Sequence, residues 1–281
     1  MNITVKIGGA SGIGGDALLD ELATYSLPVS GNRITIVHGG SDSTSRLQQA
    51  LGREVRFLTS ANGQVSRQTD RADVEIFAMA TALIGKVIVE GLSMRGVKAF
   101  GLSGLDGGLA VGARKHLVRF IENGRSRILR EQWTGRPETI DTGVLEALHG
   151  LSCVPVIAPV IASETGEMLN ADGDRLAAAI AGRLGDETLV ILTNVPGLMR
   201  DVSCSDSLIS HIPTGDLETY MVFAEGRMRK KLLGAAEALS LGVRRVILAD
   251  ARVSNPLSSA LAGNGTVIGE RVCLEAIGAT S

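Results

Sequence analysis

The stretch VKIGGASGIGG, residues 5–15, joins an apolar β-like run to a loop of closely spaced glycines. Two other apolar runs end in a similar way, in IVHGGSDS (36–43) and ILTNVPG (191–197). In open α/β sheets, ligands bind at the carboxyl ends of the strands, where glycine lets the backbone approach an anion closely. The three loops therefore predict an α/β protein with an anion-binding edge.

β-like runs alternate with helical patterns along the chain. The runs are ITVKI (3–7), RITIVH (33–38), VKAFGL (97–102), VPVIAPVIA (154–162), TLVILT (188–193) and RRVILA (244–249). The helical patterns cover 16–25, 70–95, 173–184 and 227–242. Because the runs are apolar on both faces, the sequence predicts a three-layer αβα sandwich around a mainly parallel sheet. We expect two lobes, 1–180 and 181–281.

The composition, with 44% hydrophobic and 21% charged residues, is that of an ordinary globular protein. Cys153, Cys204 and Cys273 are far apart in sequence and have no metal-binding spacing, so neither a disulfide framework nor a zinc site is predicted. The sequence begins with a strand pattern rather than a signal peptide, and no uninterrupted apolar run reaches the roughly 18 residues of a membrane span. We expect a cytoplasmic protein without membrane contact.

Lys6 lies inside the first apolar run, and Gly8 and Gly9 follow shortly after it. A lysine in that place is either an edge residue that reaches water or a cation that serves an anionic ligand, and the glycines favour the ligand. A dinucleotide site is the alternative, because GIGGDA (12–17) matches G-x-G-x-x-A. That site is disfavoured because the second run ends in HGG (38–40) where an acidic ribose-binding residue is expected. The Walker A pattern is absent.

The segment from Arg114 to Arg130 has a net charge of +5, whereas the whole chain has a net charge of −2. Asn123-Gly124 lies between two β-like arms and predicts a type I′ hairpin that projects from the fold. Concentrated positive charge favours an acidic partner. Nucleic acid is poorly supported, because Phe120 and Trp133 are the only nearby stacking residues and the whole chain is acidic.

The chain resembles the amino acid kinase family in motifs that run in order along nearly its whole length. They are KIGG (6–9), VHGG (37–40), LNADGD (169–174), LTNVPGL (192–198) and GRMRKK (226–231). The nearest branch is that of the acetylglutamate kinases. Within it, RQTDRADVEIFAMA (67–80) and GLSGLDGGLAVGARK (101–115) resemble the kinases that act on aminoadipate or glutamate held by the carrier protein LysW. The resemblance implies the amino acid kinase fold.

The resemblance also implies a reaction, transfer of the γ-phosphoryl group of MgATP to a side-chain carboxylate to give an acyl phosphate. A carboxylate is already nucleophilic, so alignment and charge neutralisation can carry catalysis. The implied catalytic residues are Lys6, Lys231 and Asp174. Other implied roles are phosphate binding by Gly8, Gly9, Gly39 and Gly40, substrate binding by Gly39, Gly40, Arg67 and Asn170, and nucleotide binding by Asn194, Pro196 and Gly197. Mg²⁺ is expected to arrive with ATP, without a metal site on the protein.

Simpler interpretations exist for several of these residues. Lys231 and its neighbour Lys230 fit a solvated helix face, and Arg67 fits a surface arginine that pairs with Asp70 or Asp73. The Asn194 to Gly197 segment fits a plain turn. Asp172 and Asp174 are two residues apart, but the rest of a calcium loop is missing.

The basic segment fits a small acidic amino-group carrier protein of the LysW type. The predicted carrier-docking residues are Arg114, Lys115, Arg119, Arg125, Arg127 and Arg130. One alternative is an acetylglutamate kinase that uses free N-acetyl-L-glutamate, and a remote one is a non-catalytic regulator that binds an effector. Aminoadipate and glutamate differ by one methylene group, a difference worth only about 1–3 kcal/mol in a pocket.

The family resemblance implies a homodimer formed through the substrate lobe. No extension precedes the first strand pattern, which by the same resemblance argues against the hexamers of arginine-inhibited acetylglutamate kinases.

Overall fold

A computed structural model describes residues 1–9, 15–27, 30–60, 65–122 and 125–271. Part of GIGGDA (12–17), the Asn123-Gly124 turn and Cys273 lie outside the described residues. The α-helices are α1 Asp16–Ser26, α2 Ser41–Ala50, α3 Arg71–Ser93, α4 Gly143–Gly150, α5 Gly173–Leu184, α6 Leu217–Tyr220, α7 Gly226–Ser240 and α8 Pro256–Leu261. The strands are β1 Asn2–Ile7, β2 Arg33–His38, β3 Phe57–Thr59, β4 Val65–Arg67, β5 Ala99–Gly104, β6 Ala110–Arg114, β7 Leu117–Glu122, β8 Arg125–Arg130, β9 Thr134–Ile140, β10 Val154–Ala162, β11 Met168–Ala171, β12 Thr188–Thr193, β13 His211–Ile212, β14 Arg245–Asp250 and β15 Thr266–Gly269.

The strands form a main sheet of eleven strands and a small sheet of four. The centre of the main sheet is parallel, in the order β5-β10-β2-β1-β12-β14. These six strands are the six that the apolar runs predict, so the mainly parallel sheet is confirmed. β6, β9 and β11 extend one side of the sheet, and β15 and β13 extend the other. The sequence analysis missed these five strands, which are short or lack a continuous apolar run.

Helices cover both faces of the main sheet. α1, α3 and α8 pack on one face, around a core that includes Ile3, Val5 and Ile7 of β1. α5 and α7 pack on the other, around a core that includes Leu189 and Ile191 of β12. The three-layer αβα sandwich is therefore confirmed, with a separate apolar layer on each side of the sheet.

The alternation of side chains along β1 decides where Lys6 points. Ile3, Val5 and Ile7 belong to the core beneath α1 and α3. Successive residues of a strand face opposite sides of a sheet, so Thr4 and Lys6 point to the side covered by α5. The first turn of α5 lies on this side of the sheet, and Lys6 lies near the carboxyl end of β1.

Residue 180, the predicted lobe boundary, lies inside α5. The hydrogen-bonded ladder of the main sheet passes directly from β1 to β12 across this division of the chain. The division into lobes stays a prediction.

α3 is the longest helix, and among the described residues it is the one helix that is long and apolar enough to cross a membrane by length and composition alone. It begins with a capping box, in which the side chains of Asp70 and Asp73 each accept a hydrogen bond from the backbone amide of the other. About half of its most apolar window, 44%, is buried. That buried face packs on β5 and β10, which is the arrangement of a core helix.

The predicted basic hairpin exists as the antiparallel pair of β7 and β8. It does not stand alone, because β7 pairs with β3 and β3 pairs with β4, which completes the small sheet. Directly opposed residues share a face of a sheet. The face that we call the Arg67 face therefore holds Phe57, Thr59, Val65, Arg67, Leu117, Arg119, Ile121, Ile128 and Arg130. The opposite face, the Arg125 face, holds Arg125, Arg127, Val118, Phe120 and Leu129.

Asp186, at the start of β12, is a buried carboxylic acid far from the predicted active-site edge. It is only 3% exposed, and it accepts a hydrogen bond of 2.6 Å from the Thr4 hydroxyl. Desolvation by burial raises the pKa of Asp186 to about 6, although the Thr4 hydrogen bond and Arg33 oppose the shift. The folded protein therefore binds this proton more tightly than the unfolded chain does, so this group's contribution to stability falls as pH rises from about 4 to 6.

We expect Asp186→Asn to raise the free energy of unfolding at pH 8, by up to about 3 kcal/mol, because an amide cannot ionise in this site. The amide oxygen can still accept the Thr4 hydrogen bond. Below about pH 4 the stability difference between variant and wild type should shrink, because the wild-type carboxyl is then protonated in both states. Urea unfolding at both pH values measures this difference. A difference that does not change with pH would contradict the prediction.

Candidate active site

Lys6, Asp174 and Lys231 meet at the carboxyl-end edge of the main sheet. Lys6 comes from β1, Asp174 from the first turn of α5 and Lys231 from α7. The Lys6 Nζ atom lies 2.7 Å from Asp174 Oδ1, and the Lys231 Nζ atom donates a hydrogen bond of 3.1 Å to Asp174 Oδ2. All three side chains are buried. One carboxylate therefore holds two ammonium groups side by side.

Burial and charge act against each other in this cluster. Desolvation favours the neutral acid at Asp174, but the ammonium groups of Lys231 and Lys6 outweigh it and hold the pKa of the carboxyl well below its usual range. Desolvation lowers the pKa of Lys231, and Asp174 partly restores it. Asp174 is thus an ionised carboxylate near neutral pH. Lys231 does not lie on a solvated helix face.

The first two glycine loops pack backbone against backbone. A Cβ atom on Gly9 would lie 2.5 Å from the Gly40 nitrogen, and one on Gly39 would lie 2.6 Å from the Gly9 nitrogen, so neither position can hold a side chain without rearrangement. The amide of Gly8 donates to the Leu192 carbonyl and that of Gly39 to the Ile7 carbonyl. Within the described part of the chain, only Gly9 and Gly40 of the four predicted phosphate-binding glycines keep an amide without a protein acceptor.

His38 precedes these glycines at the end of β2. It is fully buried, and its Nδ1 atom donates a hydrogen bond of 3.1 Å to the Gly39 carbonyl oxygen. Its Nε2 atom has no hydrogen-bond partner among the described residues. Desolvation, together with the charge of Lys6, lowers the pKa of His38 to about 4. A neutral imidazole therefore lies beside the Gly39-Gly40 loop.

Arg67 lies at the end of β4, beside α2. Its guanidinium donates hydrogen bonds to the Gln48 side chain, to Ser45 Oγ at 2.7 Å and to the Ser41 carbonyl at 3.0 Å. It also stacks over the Phe57 ring, 5.0 Å from the centroid. These partners orient the guanidinium without neutralising its charge, and desolvation lowers the pKa of Arg67.

The aspartates that could pair with Arg67 have a different partner. Arg53 forms ion pairs of 2.6 Å with Asp70 and 3.1 Å with Asp73. Within the described part of the chain, Arg67 itself forms no ion pair with a carboxylate. The guanidinium of Arg67 is therefore held by neutral groups and remains available to an anionic ligand.

A single cleft of about 1330 Å³ connects the predicted site residues. Arg67, Asn170, Asn194 and Gly197 line it together with Lys6, Asp174 and Lys231. In the strand order of the main sheet, β11, which carries Asn170, and β12, which precedes Asn194, lie on opposite sides of β1. Asn170 is on β11, where its side-chain amide donates to the Thr69 hydroxyl at 3.4 Å. Pro196 does not line this cleft. Other side chains that line the cleft and were not predicted as site residues include Arg200, Phe223, Arg227 and Met228.

Packing requires glycine at position 197, whether or not this loop binds a ligand. A Cβ atom at this position would lie 2.5 Å from the Thr266 hydroxyl and 2.9 Å from a Leu208 methyl group. The Thr266 hydroxyl accepts a hydrogen bond from the Leu198 amide, which ties the loop after β12 to β15.

The six predicted docking residues occupy different surroundings. Arg114 stacks on Trp133 at 3.6 Å, donates to the Gln132 carbonyl and has a side chain only 13% exposed, so it offers little surface to a partner protein. Lys115 lines the active-site cleft. The other four lie on the small sheet, with Arg119 and Arg130 on its Arg67 face and Arg125 and Arg127 on its Arg125 face. Of these four, Arg119 also lines the cleft.

Among the described residues, no group of three or more His, Cys, Asp or Glu side chains is placed to hold a metal ion. Asp174 is already paired with two lysines. Asp172, two residues before Asp174, caps α5 with its Oδ1 atom, and its Oδ2 atom lies 4.0 Å from Lys230.

The sequence profile of the amino acid kinase family matches residues 1–250. The chain belongs to the amino acid kinase family. It is 48% identical to the [LysW]-aminoadipate kinase of Deinococcus radiodurans over 95% of this chain and 91% of that protein. It is 45% identical to the [LysW]-aminoadipate kinase of Thermus thermophilus over 95% of this chain and 99% of that protein.

Solved structures support the family fold at lower identity. The N-acetylglutamate synthase of Neisseria gonorrhoeae superposes with a TM-score of 0.77 at 21% identity, over 96% of this chain and 59% of that one. The carbamate kinase of Giardia lamblia superposes with a TM-score of 0.64 at 15% identity, over 96% of this chain and 98% of that one. The amino acid kinase fold that the motifs predict is thus confirmed.

Proposed function

We propose that this protein is an ATP-dependent kinase that phosphorylates the side-chain carboxylate of 2-aminoadipate while a LysW-type carrier protein holds the amino group. The observation that carries this proposal is the Lys6–Asp174–Lys231 cluster in one cleft with Arg67 and Asn170. The identity of 45–48% to [LysW]-aminoadipate kinases over nearly the whole chain supports this substrate class. The product is an acyl phosphate on a pathway of lysine biosynthesis.

In the proposed step, a carboxylate oxygen of the substrate attacks the γ-phosphorus of ATP. A bond forms between this carboxylate oxygen and the γ-phosphorus. The bond between the γ-phosphorus and the oxygen that bridges it to the β-phosphate breaks, and ADP leaves. Lys6 and Lys231 neutralise the charge on the transferring group, and the amides of Gly9 and Gly40 donate to its oxygens. Asp174 has too low a pKa to act as a base, and its role is to position the two lysines.

The nucleotide occupies the end of the cleft formed by the loop after β12 and by the start of α7. Asn194 and Gly197 of this loop and Phe223, which precedes α7, all line the cleft. Mg²⁺ would be held mainly by the ATP phosphates. When bound, the metal supplies further positive charge to the phosphoryl group.

The acyl amino acid occupies the other end, where Arg67 binds its α-carboxylate and Asn170 its amide. A guanidinium oriented by neutral hydrogen bonds can accept a planar carboxylate without losing an existing ion pair. We propose on this basis that residues 1–180 form a substrate and dimerisation lobe and that residues 181–281 form a nucleotide lobe.

We expect Arg67→Ala to raise KM for the acyl substrate by about 10- to 30-fold, because a hydrogen bond to a charged group contributes about 1.5–2 kcal/mol. KM for ATP should stay within twofold, because Arg67 is held against α2, whereas the nucleotide is proposed to bind at the loop after β12. Steady-state kinetics with each substrate varied in turn measure both constants. Arg53→Ala is the matched control, since it removes a nearby arginine that is paired with Asp70 and Asp73. An unchanged acyl-substrate KM in Arg67→Ala would remove Arg67 from the site.

The carrier is proposed to dock on the Arg67 face of the small sheet. Five large apolar side chains on this face are exposed, namely Phe57, Val65, Leu117, Ile121 and Ile128. Arg119 and Arg130 lie among them, and Arg67, on the same face, lines the cleft. An apolar surface with arginines fits an acidic protein partner, because complementary charge steers association and the apolar side chains add contact area.

The proposed function is tested by trapping the acyl phosphate as a hydroxamate. The enzyme, MgATP and hydroxylamine are incubated with carrier-linked aminoadipate, carrier-linked glutamate, free N-acetylaminoadipate or free N-acetylglutamate. We expect the highest kcat/KM with carrier-linked aminoadipate. Efficient turnover of free N-acetylglutamate, with no gain from the carrier, would instead identify an acetylglutamate kinase. A higher rate with carrier-linked glutamate would place the protein in arginine biosynthesis.

A cytoplasmic homodimer is also proposed. The outward face of α3 exposes Met79, Leu83, Val87 and Met94, and Phe100 of the adjoining β5 is exposed as well. A second copy of this chain is the occupant we propose for this face, because an isologous contact between two copies of the helix would cover it. Sedimentation equilibrium should give twice the mass of the 29.3 kDa chain. A monomer at micromolar concentration would contradict it.

A further inference from the structure

Lys115 is set apart from the other basic residues of its segment by its position. It follows β6 directly, and its amide donates to the Thr134 carbonyl at 2.9 Å. Thr134 is in turn the β-ladder partner of Asn170. A single strand, β9, therefore lies between the backbone of Lys115 and that of Asn170, and both residues line the active-site cleft.

Cations outnumber carboxylates around Lys115. The neighbouring charges are Arg136, Arg175, Lys230 and Asp172. Arg136 and Arg175 share a single carboxylate, Glu237, at 3.2 and 3.3 Å. Asp172 caps α5 and lies near Lys230, so it is also shared. This group therefore contains four cations, Lys115, Arg136, Arg175 and Lys230, but only two carboxylates, Asp172 and Glu237.

Lys115 has no ion pair or hydrogen bond from its ammonium group among the described residues. Although Lys115 keeps part of its surface exposed to solvent, partial desolvation, followed by the charges of Arg175 and Lys230, lowers its pKa. An unpaired cation in such surroundings is stabilised by an anion that enters the cleft. The surroundings therefore indicate an oxyanion site beside Asn170.

The anionic groups of the proposed reaction are already assigned to other places. The side-chain carboxylate and the transferring phosphoryl group meet at Lys6 and Lys231, the remaining phosphates of ATP lie at the nucleotide loop after β12, and the α-carboxylate of the amino acid lies at Arg67. The nitrogen of the amino acid is acylated, so a further anionic group near Asn170 belongs to the acyl side of the amide. This step rests on the proposed function.

We propose that Lys115, with Arg175 and Lys230, binds a carboxylate carried by the acyl group of the substrate. The carrier residue that is joined to the amino acid would then bear a free carboxylate of its own. Such a site distinguishes the carrier-linked substrate from a simple N-acetyl amino acid, which lacks this group. Lys115 is thus a specificity-determining residue rather than part of the surface on which the carrier docks.

The test uses two small substrates that differ at one group, N-glutaryl-aminoadipate and the analogue in which the terminal glutaryl carboxylate is an amide. The wild type should have a KM about tenfold lower for the carboxylate. In Lys115→Met this preference should disappear, because KM for the glutaryl compound rises to that of the amide. KM for N-acetylaminoadipate and for ATP should stay within twofold. Arg125→Met, which removes a cation from the Arg125 face, should keep the wild-type preference.

Calorimetric titration of both compounds, without ATP, gives a second readout that requires no turnover. It therefore separates failure of this inference from failure of the proposed kinase activity. Equal affinity of the wild type for the carboxylate and the amide would overturn the proposal. An increase in KM for ATP in Lys115→Met would also overturn it, because it would assign Lys115 to a nucleotide phosphate. So would an equal loss with every substrate, which would indicate a role in the fold.

Discussion

Lys231→Ala should lower kcat by roughly 10²–10³, the cost of removing one preorganised electrostatic donor from a transition state. Lys231 is 9% exposed and shares Asp174 with Lys6, so no water-exposed cation can easily take its place. Lys6→Ala should lower kcat by a similar factor. KM for ATP should change much less in either variant, because the lysines interact most strongly with charge that develops during transfer.

The neighbouring Lys230 supplies the control for this experiment. It is on the same helix, but its side chain is more exposed and lies 4.0 Å from Asp172 rather than against Asp174. Lys230→Ala should lower kcat far less than Lys231→Ala does. Thermal unfolding of each variant checks that the loss of a buried ion pair has not unfolded the protein. Turnover close to wild type in a folded Lys231→Ala variant would exclude the proposed role.

Reversal of both Arg119 and Arg130 to Glu should lower kcat/KM for carrier-linked aminoadipate by about 100-fold at low salt, within the range of electrostatic steering. Both arginines lie on the Arg67 face, beside the exposed apolar side chains. Added salt should reduce the wild-type rate more than the variant rate, because the Debye length is only about 8 Å at physiological ionic strength. The kcat at saturating carrier should be largely preserved.

The small sheet provides a matched control for this charge reversal. Arg125 and Arg127 lie on the Arg125 face of the same hairpin, so their reversal to Glu changes the net charge equally. This second variant should lose much less of its activity with the carrier. Equal losses in both variants would mean that the total charge of the hairpin matters and not the Arg67 face. Equal losses with carrier-linked and free substrates would indicate damage to the active site.

Local sequence patterns predicted the centre of the fold well. A strand buried on both faces needs a continuous apolar run, and each of the six such runs became a strand of the parallel centre. α5 matched its predicted bounds, because Asp172 caps its start and Gly185 ends it in the left-handed conformation. The edge strands β6, β9 and β11 carry no such signal, because they depend on neighbours that are distant in sequence.

The glycine loops show a limit of motif reasoning within the site. The motif predicts four phosphate-binding glycines with one role. In the fold, the amides of Gly8 and Gly39 complete the sheet ladder, and those of Gly9 and Gly40 have no such partner among the described residues. The difference arises from strand register, which only pairing with β12 and β1 establishes.

The sequence by itself determined the parallel sheet, the glycine loops at its edge and the presence of Lys6 beside them, because these depend on residues adjacent in the chain. Only the tertiary structure brought Lys6, Asp174 and Lys231 to one carboxylate from three distant segments. It also paired Asp70 and Asp73 with Arg53 and left Arg67 to neutral partners. Finally, it placed the basic residues of one segment in different surroundings. Arg114 stacks on Trp133, Lys115 lines the cleft, and the others lie on the two faces of the small sheet. Strand alternation and long-range packing decide where each of these charges points, and neither is encoded in the local pattern of charge.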